Sequence, residues 1–112
     1  MIEIKNKKAY FDYTILESIE AGISLVGTEI KSIRKGSVDL KDTFITIKNN
    51  EAFILNMYIA KYEEGNIFNH DERRTRKLLL HKKEIQKLKE KVSTEGLTLI
   101  PLKLYFHKNH VK

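Results

Sequence analysis

A pair of asparagines near the middle of the chain is the feature that most limits its fold. Asn49 and Asn50 lie between two segments, Thr43–Lys48 and Glu51–Ile59, in which apolar and polar residues alternate. A period of two is typical of a β-strand with one buried face. Asn tolerates the positive φ that a two-residue turn requires, so these segments predict a β-hairpin. The apolar residues predicted to share its buried face are Ile45, Ile47, Phe53, Leu55 and Met57.

A second alternating pattern precedes the hairpin. From Ala9 to Leu25 the apolar residues fall mostly on one phase, which predicts a long strand. Gly22 is a candidate for a bulge that would bend it. Residues 1–8 are polar, and we expect them to be loose.

A short helix is predicted between Gly27 and Gly36. Thr28 is its expected N-cap, and Gly36 can adopt the left-handed conformation that ends a helix. Ile30 and Ile33 lie three residues apart and are expected to face the core. The opposite face then carries three cations, Lys31, Arg34 and Lys35.

The second half of the chain contains another helix pattern. Lys82–Ser93 places apolar residues at helical spacing, and Gly96 follows it as a stop. Tyr62–Asp71 is predicted to be a polar loop. Leu97–Phe106 predicts a bent strand, and His107–Lys112 predicts a polar tail. Several antiparallel strands with short helices between them favour a small closed or partly open β-barrel.

The overall charge favours a polyanionic partner. The 112 residues contain 21 Lys and Arg against 15 Asp and Glu, which gives a net charge of +6. Such a balance suits nucleic acid or an acidic membrane surface. The chain has no Cys, no long apolar run and no apolar segment near its N-terminus. These features favour a cytoplasmic protein of one domain that has no disulfide and no membrane span.

The positive charge is concentrated in one stretch. Residues 70–91 hold nine Lys and Arg and four acidic residues, hence +5 in about a fifth of the chain. Arginine suits phosphate because its planar guanidinium donates two parallel hydrogen bonds. The four arginines of the chain are Arg34, Arg73, Arg74 and Arg76. Tyr10, Phe11 and Tyr13 are expected either to stack on bases or to pack in the core.

Nothing in the sequence nominates a catalytic or metal site. The four histidines lack metal-ligand spacing, and no Ser stands in a Gly-x-Ser-x-Gly motif. Glu17 and Glu20 would point to opposite faces of a strand, so they do not form a catalytic pair. His81, beside the cation cluster, is expected either to cap the helix or to bond an RNA group. The sequence therefore predicts a protein that is not an enzyme and has no cofactor.

Five segments, taken in order, carry a resemblance to a known family. They are Asn6–Ala9, Glu20–Leu25, Gly27–Gly36, Arg74–His81 and Leu97–Tyr105. In this order they resemble the SsrA-binding protein (SmpB) family of bacterial trans-translation, and the resemblance spans about residues 5 to 112.

The resemblance implies a mostly β protein, a small antiparallel oligonucleotide-binding (OB) fold β-barrel with two or three short flanking helices, in one domain over residues 1–112. It implies a non-enzymatic adaptor that binds the tRNA-like domain of transfer-messenger RNA. The adaptor delivers this RNA to stalled ribosomes for rescue and for tagging of incomplete proteins. The RNA-facing residues that the resemblance implies are Asn6, Lys7, Lys8, Tyr13, Glu20, Lys31, Arg34, Arg74, Arg76, Lys77 and His81.

The implied partners are transfer-messenger RNA and the A site and decoding region of the ribosome. Elongation factor Tu is a further candidate, through the aminoacylated RNA. We expect a cytoplasmic monomer that does not bind membranes. Two alternatives stay open at this point: a general binder of single-stranded nucleic acid on the same barrel, and a structural ribosome-associated protein.

Two departures from the family pattern matter. Glu72 follows Asp71 where many relatives have proline, which bears on the rigidity of that loop. The family also continues beyond the equivalent of Lys112, with a further strand, a Gly-Lys-Lys segment and a basic tail that enters the decoding region. The expectation is that residues 1–112 bind the RNA and do not complete the step that depends on the ribosome.

Overall fold

The computed structural model of the chain describes residues 3–64 and 69–112, which form β-strands and three α-helices. The strands are β1 Glu3–Lys5, β2 Gly22–Ile23, β3 Val38–Asp39, β4 Phe44–Lys48, β5 Glu51–Leu55, β6 Tyr58–Ile59, β7 Arg76–Leu79, β8 Lys103–His107 and β9 His110–Val111. The helices are α1 Lys7–Asp12, α2 Gly27–Arg34 and α3 Lys82–Glu95. The predicted class, mostly β with short flanking helices, is confirmed.

All strand pairs among the described residues are antiparallel and fall into three sheets. The largest has the order β2-β7-β5-β4, the second has the order β1-β8-β9, and β3 pairs with β6. One apolar core joins elements of all three sheets and α2. Its buried members are Ile33, Leu40, Ala52, Ile54, Met57, Ile59, Leu78, Leu104 and Val111. Packing of these side chains against each other removes apolar surface from water, which is the main force that holds the sheets together.

The predicted hairpin forms, with β4 and β5 as its strands. Asn49 and Asn50 both have positive φ, at 53° and 60°, and the turn pairs Lys48 with Glu51. The predicted phase of β5 is wrong. Ile45 lies opposite Ile54, so the buried phase of β5 contains Ala52 and Ile54, whereas Phe53 and Leu55 lie on the outer face. A two-residue turn permits only this register, and a one-residue slip exchanges the faces. After β5, Asn56 with φ 66° bends the chain, which returns Met57 to the core.

The predicted long strand from Ala9 to Leu25 is wrong. Residues Lys7–Asp12 form α1, and only Gly22–Ile23 pairs with β7. The side chains of residues 13–20 are all exposed. A strand needs a neighbour to satisfy its backbone groups, and β7 supplies one only around β2, where Ser24 N–H also donates to the carbonyl of Lys77 at 2.9 Å.

The described residues near both chain ends are more ordered than the sequence predicts, and residues 1 and 2 of the segment expected to be loose lie outside the described residues. From Glu3 onwards the expected loose segment is β1, whose Ile4 lies opposite Leu104 of β8. The predicted polar tail is a second hairpin, in which β8 and β9 flank Lys108 and Asn109, both with positive φ. Val111 is buried and anchors the hairpin to the core.

The helix predictions agree better with the structure. Gly36 and Gly96 follow α2 and α3 with φ of 75° and 64°, as expected for helix stops. The N-cap of α2 is Val26 instead of Thr28, and its N–H donates to the Glu29 carboxylate at 2.9 Å. Of the predicted Tyr62–Asp71 loop, residues 65–68 lie outside the described residues. Among the helices of the described part, none has the length and apolar character needed to cross a membrane.

Candidate nucleic-acid interface

A buried carboxylate organises the arginine-rich stretch. Glu29 lies on the inward side of α2 with a relative exposure of 0%. Its carboxylate accepts hydrogen bonds from Nη2 of Arg74 at 2.7 Å and from Nε of Arg76. Burial alone would raise the pKa of Glu29, but the hydrogen bonds from Arg74, from the Val26 N–H and from Arg76 outweigh it, so the pKa is lowered. Glu29 is therefore a buried anion that fixes two cations.

Arg76 belongs to the interior. Its exposure is 0%, and its Nη1 donates to the carbonyl of Met57 at 2.7 Å. Its Nη2 lies 3.2 Å from the carbonyl of Glu72 and 3.5 Å from that of Asp71. Burial lowers the pKa of Arg76, although Glu29 opposes this shift. Every nitrogen of the guanidinium already donates a hydrogen bond within the protein, so Arg76 is a framework residue in this structure.

The other arginines of the stretch also stabilise the fold. Arg74 is 36% exposed through its side chain, and its Nη2 also donates to the carbonyl of Ser24 at 3.3 Å. Arg73 donates from Nη1 to the carbonyl of Asn56 at 3.0 Å and lies over the ring of Tyr58. The cluster is thus partly turned inward, and Arg74 is the predicted RNA-facing arginine of this stretch that reaches the surface.

His70, which the sequence left without a role, completes the buried polar group beneath α2. Its Nε2 lies 2.9 Å from the carbonyl of Ile59, and its Nδ1 shares a hydrogen bond of 2.9 Å with Thr28 Oγ1. His70 is buried, and Thr28 opens the first turn of α2. The contact fastens the start of α2 to the end of β6.

The outer face of α2 presents the predicted cations to solvent. Lys31 and Lys35 lie with Nζ at 5.3 Å and 4.9 Å from the centre of the Tyr62 ring. The guanidinium carbon of Arg34 lies 4.6 Å from the centre of the Phe106 ring on β8. A cation over a ring face is attracted by the ring quadrupole, which limits its range of positions. The face therefore holds exposed charge on a rigid support.

The N-terminal candidates lie beside the same sheet. Asn6 is part of the framework: its Nδ2 donates to the carbonyl of Pro101 at 2.9 Å, and its N–H donates to that of Leu102 at 2.8 Å. Lys7 and Lys8 are exposed on α1. Tyr13 follows α1 and is 48% exposed. β8 pairs with β1 at Lys103, and Phe106, beneath Arg34, follows about 10 Å further along the same strand.

The remaining candidates are spread around the molecule. Lys77 lies on the outer face of β7 and pairs with Glu51 at 3.4 Å. His81 is exposed at the N-cap of α3, and its N–H donates to the Glu84 carboxylate at 2.9 Å. Glu20 accepts a hydrogen bond from Lys112 Nζ at 3.2 Å. His81 thus caps the helix through its backbone, which leaves its imidazole at the surface.

The structure brings the arginine-rich stretch against α2. The stretch packs on the side of the helix that is opposite the exposed cations. Glu29 faces Arg74 and Arg76, whereas Lys31 and Arg34 face solvent. Sequence reasoning missed the buried role of Glu29, although Glu29, Ser32 and Ile33 lie at helical spacing and all three are buried. No group of three or more His, Asp or Glu side chains within residues 3–64 and 69–112 is arranged to hold a metal ion.

Comparisons with known proteins agree on one family. The sequence model described as SmpB protein matches residues 3–112. An SsrA-binding protein of Carboxydothermus hydrogenoformans is 57% identical over 108 residues, which is 96% of this chain and 72% of that protein. One of Staphylococcus epidermidis is 59% identical over 108 residues, which is 96% of this chain and 69% of that protein.

A solved structure gives the same result. The structure reported as "tmRNA-SmpB: a journey to the center of the bacterial ribosome" superposes with a TM-score of 0.78 at 48% sequence identity. The match covers 97% of this chain and 79% of that chain.

Proposed function

This chain belongs to the SmpB protein family, and from that premise we propose that it binds transfer-messenger RNA and acts with it at the ribosome. It is an RNA-binding adaptor of trans-translation: it carries the RNA to stalled ribosomes, where incomplete proteins are tagged. The observation that carries this conclusion is the likeness, over 97% of the chain, to an SmpB structure described with tmRNA and the bacterial ribosome.

The cations on rigid supports are the groups that we assign to RNA contact. On α2 these are Lys31 and Arg34, which rest on Tyr62 and Phe106. On α1 they are Lys7 and Lys8, with Tyr13 beside them as a stacking surface. Lys31 and Arg34 are already held over their rings, so they lose less conformational freedom on binding and more of the electrostatic attraction appears as affinity.

The other candidate residues fall into two groups, those that contact RNA and those that support the surface. We assign contact to Lys77, His81 and the exposed part of Arg74. Asn6 and Arg76 support the surface, because their polar atoms already bind backbone carbonyls. Glu20 is acidic, so we assign to it hydrogen bonds that its carboxylate accepts from RNA hydroxyls or base amino groups.

The target chemistry follows from the shape of a folded RNA. An A-form helix hides its base edges in a deep groove and displays phosphates and 2′-hydroxyls at fixed spacing. A rigid array of cations suits such spacing and needs no base readout. We therefore assign the binding site on the RNA to its tRNA-like domain. Elongation factor Tu joins through the aminoacyl end of that RNA, and this protein contributes no catalytic step.

A binding assay tests the proposal. The tRNA-like domain of transfer-messenger RNA should bind with an affinity that falls as salt rises. An ordinary transfer RNA and an unstructured RNA of equal length are the competitors. Displacement by the unstructured RNA at the same concentration as by the target would favour a general single-strand binder instead.

A further inference from the structure

The outer face of the four-stranded sheet carries aromatic side chains that the core does not use. Phe44, on the edge strand β4, is 50% exposed. Phe53, on β5, is partly exposed and lies opposite Thr46 and Lys77. Large apolar side chains are normally placed on the inner face, as Ile45 and Ile54 are here, so aromatic rings on the outer face of an edge hairpin require an explanation.

The strand register sets the geometry of the two rings. Phe44 lies opposite Leu55, and Thr46 lies opposite Phe53, so the two phenylalanines are diagonal neighbours on one face. Diagonal neighbours in an antiparallel pair are about 7 Å apart. That spacing lets two splayed bases stack on successive rings, because every base has a π-face.

Charged groups flank the rings on this face. Lys48 is exposed at the hairpin turn, and Lys77 lies beside Phe53. Glu51 lies opposite Lys48 and pairs with Lys77 at 3.4 Å. Two lysines against one glutamate leave this face with a net positive charge. Aromatic rings combined with cations form the surface type that binds unpaired nucleic-acid bases and their phosphates.

We propose that Phe44 and Phe53 form a stacking platform for unpaired bases of a bound RNA, with Lys48 and Lys77 beside the phosphates. The proposal rests on the proposed function, since it extends the RNA surface from Lys77 across the hairpin. It adds to the cation face of α2 a site that reads exposed bases in a loop or single strand.

A second copy of the chain fits this face less well. Pairing through the free edge of β4 would bring together two molecules that each carry a net charge of +6. Like charges of this size oppose association at low salt, whereas the same charges attract RNA. Unpaired bases therefore satisfy both the apolar and the electrostatic character of the face.

Tryptophan fluorescence tests the platform directly, because the chain contains no Trp. The variant Phe44→Trp places an indole on the face. Leu16→Trp, at a position that is 72% exposed and lies off the sheet, is the matched control. The probes are the tRNA-like domain of transfer-messenger RNA and a six-nucleotide oligoadenylate. We expect both probes to quench the Phe44→Trp protein saturably and to leave the Leu16→Trp protein unchanged.

Affinity measurements complete the test. Phe44→Ala should weaken binding of the tRNA-like domain about tenfold with an unchanged salt slope, because it removes a stacked base and no phosphate contact. If the tRNA-like domain binds but does not quench the Phe44→Trp protein, and Phe44→Ala loses no affinity, the platform alone is overturned. If the tRNA-like domain does not bind but oligoadenylate still quenches the Phe44→Trp protein, the proposed function alone is overturned. Association of the unmodified protein with itself through this face, seen by sedimentation and abolished by Phe44→Ala, also overturns the platform.

Discussion

Glu29 and Arg76 form an ion pair in which neither side chain is exposed to solvent. Glu29 comes from α2 and Arg76 from β7, 47 residues later in the chain. Arg76 continues the connection to the carbonyl of Met57 and to the loop before β7. The pair therefore sets where α2, with its outer row of cations, lies relative to the four-stranded sheet.

Glu29→Gln should destabilise the protein by about 3–5 kcal/mol, because it leaves Arg74 and Arg76 without their counter-charge in a buried site. Urea unfolding at pH 7 measures the free energy of unfolding. The matched control is Glu51→Gln, whose partner Lys77 is exposed and whose loss should cost less than about 1 kcal/mol. Equal losses for the two variants would show that the Glu29 pair does not differ from a surface pair.

The same carboxylate predicts a pH dependence. Because the pKa of Glu29 is lowered below its ordinary value of 4.5 in the folded state, the folded protein binds fewer protons than the unfolded chain. Its contribution to stability is complete above 4.5 and is lost as the pH falls through the folded-state pKa. The difference in unfolding free energy between the unmodified protein and Glu29→Gln should therefore shrink from pH 7 to pH 3. A difference that stays constant over this range would contradict the shift.

The variant Arg76→Ala tests whether Arg76 supports the fold or contacts a phosphate of the RNA. Loss of a fully buried guanidinium should lower stability strongly, since Glu29 loses its buried counter-charge and keeps only the hydrogen bonds from Arg74 and the Val26 N–H. At a temperature where the variant stays folded, the slope of log affinity against log salt should equal that of the unmodified protein, because no phosphate contact is removed. Circular dichroism checks the fold, and RNA titrations at several salt concentrations give the slope. A slope reduced by about one would place Arg76 at a phosphate after all.

Local signals in the sequence were sufficient for the turn and the helix ends. Asn49-Asn50 sets the hairpin because its positive φ values are a property of two neighbouring residues. Gly36 and Gly96 end their helices for the same reason. These interactions lie within a few residues of each other, so periodicity and turn chemistry predict them.

Non-local partners decided the rest. The alternation between Ala9 and Leu25 looks like a strand, yet β7 pairs with only a short part of it. The cluster around Arg76 looks like a surface patch, because nothing near it in sequence shows that a glutamate from α2 will meet it in the core. The exposed positions of Lys31 and Arg34 were thus predictable, because their helix is a local pattern, whereas the buried position of Arg76 was not, because its partner is distant in the sequence.

Arg34→Ala should reduce the salt slope of RNA binding by about one, because Arg34 is an exposed cation held over Phe106. Affinity should fall most at low salt, where release of counterions contributes most. Lys41→Ala is the matched control, since Lys41 is exposed in the turn before β4 and its removal changes the net charge by the same amount. Equal reductions for both variants would mean that the overall charge of the protein, and not the row of cations on α2, attracts the RNA. A reduction confined to Arg34→Ala places the α2 face against a phosphate, with the guanidinium supported by an aromatic ring from a neighbouring sheet.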